Sequence, residues 1–298
     1  MRDGEKIAHI VKGVDVVIHA AAALPLCKEN EIISTNLEGT RNILKASFDS
    51  GDSGVKRVIY ISSTAVYGIP KKHPIIEDDP LIGVGPYGKS KIAAEEVCRE
   101  YIEKGLNVTI IRPKTFLGPG RLGVFQILYD WVKSGKRIPI FGNGNNRYQL
   151  LAVEDLTEAI YRFALSESRE TNSAFNIGAE VFGTVKEDVG ALCHYANNGS
   201  RLFSFPAAPI KMVLRLLESL NLSPLYKWVY ETADKDSFVS IDKIKRAINY
   251  QPKFSNVQTL INSYQWYLDN YKDIEGRSGV THRVAWKQGA LAVAKRFM

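Results

Sequence analysis

Four short, mostly apolar runs, 14–19, 55–62, 107–113 and 174–178, divide the chain, and stretches with helical character at 36–44, 92–101 and 156–165 lie between and beside them. Short buried strands alternating with helices direct an α/β fold with a parallel sheet. The opening stretch, 5–13, is apolar at 7, 8, 10 and 11 and closes on Gly13, which suits a helix with a glycine end. Ligands of open parallel sheets bind outside the carboxyl ends of the strands. Ser63 follows directly on the 55–62 run, so chemistry is expected there.

Tyr87-Gly88-Lys89-Ser90-Lys91 opens the helix that continues through 92–101, with Pro86 suiting its start. Residues four apart share a helix face, which sets Tyr87 beside Lys91. A free phenol titrates near pH ~10 and is a poor acid or base at neutrality. A nearby ammonium favours the phenolate and lowers that pKa, giving a usable proton carrier. A hydroxyl such as Ser63 would hold a substrate oxygen against the same phenol. A Tyr and a Lys at this spacing equally suit an ordinary solvated face.

Other residues carry paired readings. Ala20, Ala21 and Ala22 follow the 14–19 run. Small residues there let backbone approach a ligand, or merely let helix and sheet pack closely. Gly39 costs about 1 kcal/mol against Ala inside a helix, so it marks close packing or a ligand. The planar fork of Arg147 matches a diphosphate with two hydrogen bonds, or serves a surface ion pair with Asp155 or a neighbour. Asp155 caps or orients the 156–165 helix, and His19 reads as structural.

The run Ser62-Ser63-Thr64-Ala65-Val66-Tyr67-Gly68, an acidic loop over 71–86, and then Pro86-Tyr87-Gly88-Lys89-Ser90-Lys91 resembles the extended short-chain dehydrogenase/reductase family, in its NAD-dependent epimerase/dehydratase branch. Asn36-x-x-Gly39-Thr40 and the 141–156 pattern with Gly142, Gly144, Arg147 and Val153-x-Asp155-Leu156 extend the resemblance over about residues 5–272. It implies an N-terminally truncated Rossmann-type parallel sheet with a smaller, mainly helical substrate lobe. The implied division is 1–118, with 150–180 joining its sheet, then 119–272 as mostly substrate lobe, and 273–298 as a basic tail. The 184–272 stretch reads as helical, notably 209–220 and 256–271, with Phe205, Trp228, Tyr230 and Phe238 lining an apolar lobe.

By the same resemblance Tyr87 moves a proton, Lys91 holds the cofactor ribose and lowers the Tyr87 pKa, and Ser63 binds the reacting oxygen. Ala20–Ala22, Asn36, Tyr87, Lys91 and Lys114 contact NAD or NADP, while Ser63, Thr64, Thr115 and Arg147 contact substrate. The substrate implied is a nucleotide sugar. Three departures qualify it. Thr115 and Leu117 stand where the family has Asn and Tyr. Only Lys235 is basic within 231–236, where a second phosphate-binding Arg is common. Thr64-Ala65 replaces the Asp-Glu of the dehydratases, which disfavours water elimination. A hydroxysteroid- or flavonoid-type alcohol reductase, or a non-catalytic relative, are the alternatives.

No Gly-x-Gly-x-x-Gly or Gly-x-x-Gly-x-x-Gly occurs in residues 1–60, although a dinucleotide cradle of this kind requires such a turn. A shortened sequence, a relative that lost cofactor binding, and completion by another chain all account for this, and the first is favoured. The chain as given is expected to bind NAD(H) weakly or not at all, and the 14–18 strand to expose an apolar edge. Cys27, Cys98 and Cys193 form no Cys-x-x-Cys pair and the five His show no ligand spacing, so a reducing cytoplasm and no metal are expected. Five of the +7 charges fall on Arg277, Arg283, Lys287, Lys295 and Arg296, so the body is near neutral and no nucleic-acid partner is expected. No apolar run reaches the ~20 residues of a membrane span. The tail reads as a docked or frayed helix, or as a weak membrane-surface contact, and the protein as a homodimer.

Overall fold

The computed structural model describes residues 3–25, 27–51, 54–219, 227–274 and 295. The elements run α1 (Gly4–Ile10), β1 (Val16–His19), α2 (Glu29–Ile33), α3 (Gly39–Asp49), β2 (Arg57–Ile61), α4 (Gly85–Glu103) and β3 (Val108–Pro113). β4 (Thr115–Leu117), α5 (Phe125–Lys133), β5 (Arg137–Phe141), β6 (Leu150–Ala152), α6 (Val153–Leu165) and β7 (Ala174–Ile177) follow. Then come α7 (Val185–Ala196), β8 (Arg201–Phe205), α8 (Ala207–Ser219), α9 (Lys227–Thr232), α10 (Asp242–Ile248), α11 (Asn256–Asp269) and α12 (Tyr271–Ile274).

Two compact units result. The first takes Met1–Lys114, Asp155–Gly178 and Val239–Gln251. Its parallel sheet has the order β1-β2-β3-β7, in the register Ile18–Ile59, Tyr60–Ile110 and Ile111–Phe175. β2 and β3 are buried at every position, as strands covered on both faces must be. Their Val and Ile residues are stiff at χ1 and pack well on a pleated surface. Val58, Tyr60, Val108 and Ile110 form one core with Leu44 of α3 and Ala94, Val97 and Cys98 of α4. β1 pairs with β2 on one side and has no second strand partner among the described residues, and Ile18 on it is 53 % exposed.

Segment 239–251, which the sequence assigns to the smaller lobe, lies in the first unit. Polar ties hold it there: Ile75 and Val239 bridge, Lys243 donates to Ser173 at 2.7 Å, and Arg162 donates to the Asn249 carbonyl at 2.7 Å.

The second unit takes Thr115–Glu154, Ala179–Phe238 and Pro252–Met298. Its core joins Tyr129, Trp131 and Val132 of α5 to Leu192 and Cys193 of α7 and Tyr264 and Tyr267 of α11. Capping boxes start α7 (Thr184 with Glu187) and α11 (Ser255 with Gln258). The helical reading of 184–272 misses β8, which pairs in parallel with β5 from Arg137–Arg201 to Phe141–Phe205. The five residues of β8 are too few to break a pattern flanked by helices, and their aromatic pair Phe203–Phe205 packs at 4.7 Å. α8 and α11 fall on the helices expected at 209–220 and 256–271, α11 ending at Asp269, while Leu220, the Trp228 side chain and the tail beyond Ile274 other than Lys295 lie outside the described residues. Lys295 donates to Asp130 of α5 at 2.6 Å. No helix among the described residues is long and apolar enough to cross a membrane.

Candidate active site

β2 ends at Ile61, and the chain turns at once. Ser63 caps a tight 3-10 turn over Thr64–Tyr67, its hydroxyl oxygen accepting from the Ala65 N–H at 3.2 Å. The Thr64 hydroxyl donates to the Pro113 carbonyl at the end of β3 (3.3 Å), and Ser63 itself stays half-buried. The loop then returns to start α4 on top of this turn. Gly83 N–H donates to the Val66 carbonyl at 2.9 Å. A Cβ on Gly88 would lie 3.0 Å from the Ala65 carbonyl oxygen and 3.1 Å from Gly83 Cα. Two glycines therefore permit backbone-on-backbone contact, Gly83 with φ +59 being the one that also needs glycine for its conformation. Tyr87 immediately precedes this contact from the helix side, and Ser63 lies two residues before it on the strand side.

Lys91, one turn after Tyr87 on α4, is buried. Its Nζ donates to the Ile61 carbonyl at 2.7 Å and lies 4.7 Å from the centre of the Tyr60 ring. Burial lowers its pKa to about 8, with Cys98 and Glu95 partly opposing the shift. That value still lies above 7, so the ammonium form prevails at neutral pH. Burial pushes the Tyr60 phenol well above its usual range, with Cys98 and Tyr87 adding to that push. Tyr87, one turn before Lys91 on α4, is half-buried.

Ala20 and Ala21 are exposed past the end of β1, and Ala22 is half-buried. Asn36 supports this segment from behind, fully buried in a single π-helical turn over Ser34–Glu38. Its Oδ1 accepts from Ala23 N–H at 2.8 Å, and its Nδ2 donates to the Ala23 carbonyl and to Ser90 Oγ at 3.2 and 3.0 Å. Ser90 Oγ donates in turn to the Tyr87 carbonyl at 2.8 Å. Asn36 thus ties the small-residue segment to the first turn of α4. Thr40 donates to the Asn36 carbonyl (2.6 Å), so His19 Nε2 donates to Thr40 Oγ1 at 2.8 Å. Burial and then the Lys91 charge hold the His19 pKa near 3, and the ring is neutral. Lys114, just past β3, is buried, its backbone N–H on Ile177, and burial lowers its amine pKa to about 7.

These residues fit the nicotinamide-ribose end of a dinucleotide: exposed small residues allow close approach, and Lys91 has three donors of which Ile61 takes one. The glycine-rich turn that receives a pyrophosphate does not occur in residues 1–60.

The second unit holds the remaining candidates. Thr115 Oγ1 and Tyr148 OH are hydrogen-bonded at 2.8 Å, and burial raises the Tyr148 pKa. The Arg147 guanidinium lies 4.7 Å from the Phe182 ring and 4.6 Å from the Phe238 ring, while its backbone N–H donates to Asp236 Oδ1 at 2.8 Å.

Sequence reasoning passed over Ser62, Glu95 and Arg112. Glu95 is fully buried on α4, four residues after Lys91, and receives Ser62 Oγ at 2.6 Å and Arg112 Nη2 at 2.7 Å. The available signal was a Glu on the helix face that also carries Ala94 and Cys98.

The sequence profile of the NAD dependent epimerase/dehydratase family matches residues 1–178. An uncharacterized protein, y4nG, of Sinorhizobium fredii is 36% identical over 293 residues, covering 98% of this chain and 72% of its own. The UDP-N-acetyl-alpha-D-glucosaminuronate decarboxylase of Bacillus cytotoxicus is 26% identical over 91% of this chain and 82% of its own. The crystal structure of UDP-glucuronic acid 4-epimerase from Bacillus cereus, in complex with NAD, superposes with a TM-score of 0.71 at 20% identity, over 90% of this chain and 80% of that one. With the parallel sheet, the Ser63 turn and the Tyr87–Lys91 helix already in place, the profile match leaves one conclusion: the chain belongs to the NAD dependent epimerase/dehydratase family of enzymes.

Proposed function

We propose that this protein is an NAD(P)-dependent epimerase-type oxidoreductase acting on a nucleotide sugar, with Tyr87 as proton carrier. The observation that supports it best is the Lys91 ammonium, buried one helical turn from Tyr87 and fixed on the last carbonyl of β2. A cation held there favours the Tyr87 phenolate, so Tyr87 takes the proton of a sugar hydroxyl and later returns it. Ser63 donates to the same sugar oxygen from the strand side. Lys91 keeps donors for ribose hydroxyls, and Asn36 fixes the Ala20–Ala23 backbone that a cofactor would approach. The cofactor, when bound, supplies a hydride acceptor and donor for the carbon that bears that hydroxyl. Arg147, stiffened by its two rings, offers the diphosphate a planar fork. Thr64 has its hydroxyl on Pro113 and Ala65 has none, so elimination of water has no acid–base pair at these positions.

A second reading, oxidation or reduction of an apolar alcohol, is favoured by one contact: the Thr115 hydroxyl is engaged by Tyr148 where the family has a phosphate-binding Asn. The test is incubation with millimolar NAD and a panel of UDP- and dTDP-sugars, with sugar configuration read by NMR. Conversion of a nucleotide sugar to its epimer is expected. Redox turnover of steroid-like or flavonoid alcohols with every sugar inert would replace the first reading by the second.

A further inference from the structure

The described side chains include one fully buried carboxylate that the proposed chemistry does not use, and it sits on the same helix as Tyr87 and Lys91. Glu95 Oε1 accepts from Ser62 Oγ at 2.6 Å and from Arg112 Nε at 2.9 Å. Its Oε2 accepts from Arg112 Nη2 at 2.7 Å and Arg99 Nη2 at 2.9 Å. Arg112 spans the sheet end: its Nη1 donates to Tyr67 OH (2.7 Å) and to the Glu77 carbonyl (2.9 Å). Tyr67 OH then donates to Asn176 Oδ1 of β7 at 2.8 Å. Burial works against the Arg112 charge, but the Glu95 hydrogen bonds outweigh it and raise its pKa.

A buried ion pair of this kind adds little stability over well-packed apolar groups, while its charge-assisted bonds admit few other geometries. Here the geometry it fixes is specific. Ser62 is tied to α4 through Glu95, and Thr64 is tied to β3 through Pro113. Ser63 is therefore held between two anchored neighbours, one of them anchored to the helix that carries the proton carrier. The Lys91 bond to Ile61 and the Glu95 bond to Ser62 fasten successive turns of α4 to successive residues of the strand end.

We propose that Glu95 is a positioning residue: by gripping Ser62 and Arg112 it sets how α4 seats on the end of β2, and so where Tyr87 and Lys91 stand relative to Ser63. This rests on the reading of those three as the reacting groups.

Ser62→Ala tests it, because it deletes the hydroxyl and leaves the Glu95–Arg112 pair in place. Hydrogen–deuterium exchange on the full chain is the first readout and needs no turnover. Ser62→Ala should melt within a few degrees of the unchanged protein. Its backbone exchange at 61–65 and 85–91 should accelerate about tenfold, with 174–177 unchanged. In turnover with nucleotide sugar, kcat should fall about tenfold at unchanged KM. Exchange that is unaltered, or that rises evenly through the first unit, would reduce Glu95 to a stabilising pair and overturn the proposal. Unchanged turnover in Tyr87→Phe would instead remove the functional reading and leave the exchange result standing.

Discussion

The two compact units hold their candidate site residues in different ways. In the first, charge is buried and shared: Glu95 serves Ser62, Arg99 and Arg112 at once, and Lys91 spends a donor on the end of β2. In the second, the candidate substrate contacts are shallow or self-contained. Arg147 is exposed against two phenylalanine rings, and Thr115 is paired with its own neighbour Tyr148. The groups proposed to stand at fixed distances from a reacting atom are thus tied at several points, whereas those proposed to choose a substrate have few ties to the fold. Of the departures from the pattern that the resemblance implies, those at Thr115 and Leu117 and within 231–236 fall in the second unit, and Thr64-Ala65 falls in the first.

The contrast breaks most visibly at Glu95. Glu95→Ala leaves the Arg112 guanidinium buried without its carboxylate, and chemical denaturation should register a loss of about 3–5 kcal/mol. A loss under about 1 kcal/mol would mean that the first unit is no more tightly specified than the second.

Lys114 sharpens it through pH. Its folded pKa is depressed to about 7, below the usual lysine range, so the unfolded chain binds the extra proton between that value and its own. The group therefore contributes stability that is fully present only above its unfolded pKa and is lost as pH falls through about 7. Lys114→Met should flatten the rise in stability from neutral to alkaline pH and gain about 1–3 kcal/mol at pH 7. An unaltered pH slope would contradict the assignment.

Gly88→Ala probes the backbone contact beneath Tyr87. The added Cβ meets the Ala65 carbonyl at 3.0 Å and must lift the first turn of α4. Overpacking of this kind costs about 1–2 kcal/mol, and turnover should fall with it. Retained stability and turnover would show that the seating of that turn is not critical.

Arg147→Ala should be the mildest in stability, since an exposed cation over aromatic rings contributes about 0.5–1 kcal/mol. Its signature belongs to binding: about a tenfold higher KM for a nucleotide sugar, worth about 1.4 kcal/mol, with kcat nearly unchanged. An unchanged KM would remove Arg147 from the diphosphate site.

How much of this was legible in sequence follows from the range of each interaction. Tyr87 and Lys91 were readable because helical spacing alone sets them one turn apart. The parallel sheet was readable because short Val- and Ile-rich runs alternate with helical stretches. Glu95 was not, because its partners Arg112 and Ser62 lie 17 and 33 residues away, and a place on the helix face of Ala94 and Cys98 does not name them. Asn36 was expected near a cofactor, yet its support of Ala23 and Ser90 depends on a partner 54 residues on. β8 and the return of 239–251 to the first unit were hidden for the same reason: parallel pairing and single side-chain ties leave no local pattern.

The most direct test of the account is turnover of Tyr87→Phe, which removes one oxygen and nothing else. With saturating NAD and an active nucleotide sugar, kcat should fall by about 10²–10⁴-fold. Its melting temperature and sugar affinity should match those of the unchanged protein. Turnover within a few-fold of the unchanged protein would contradict the claim that this phenol carries the proton.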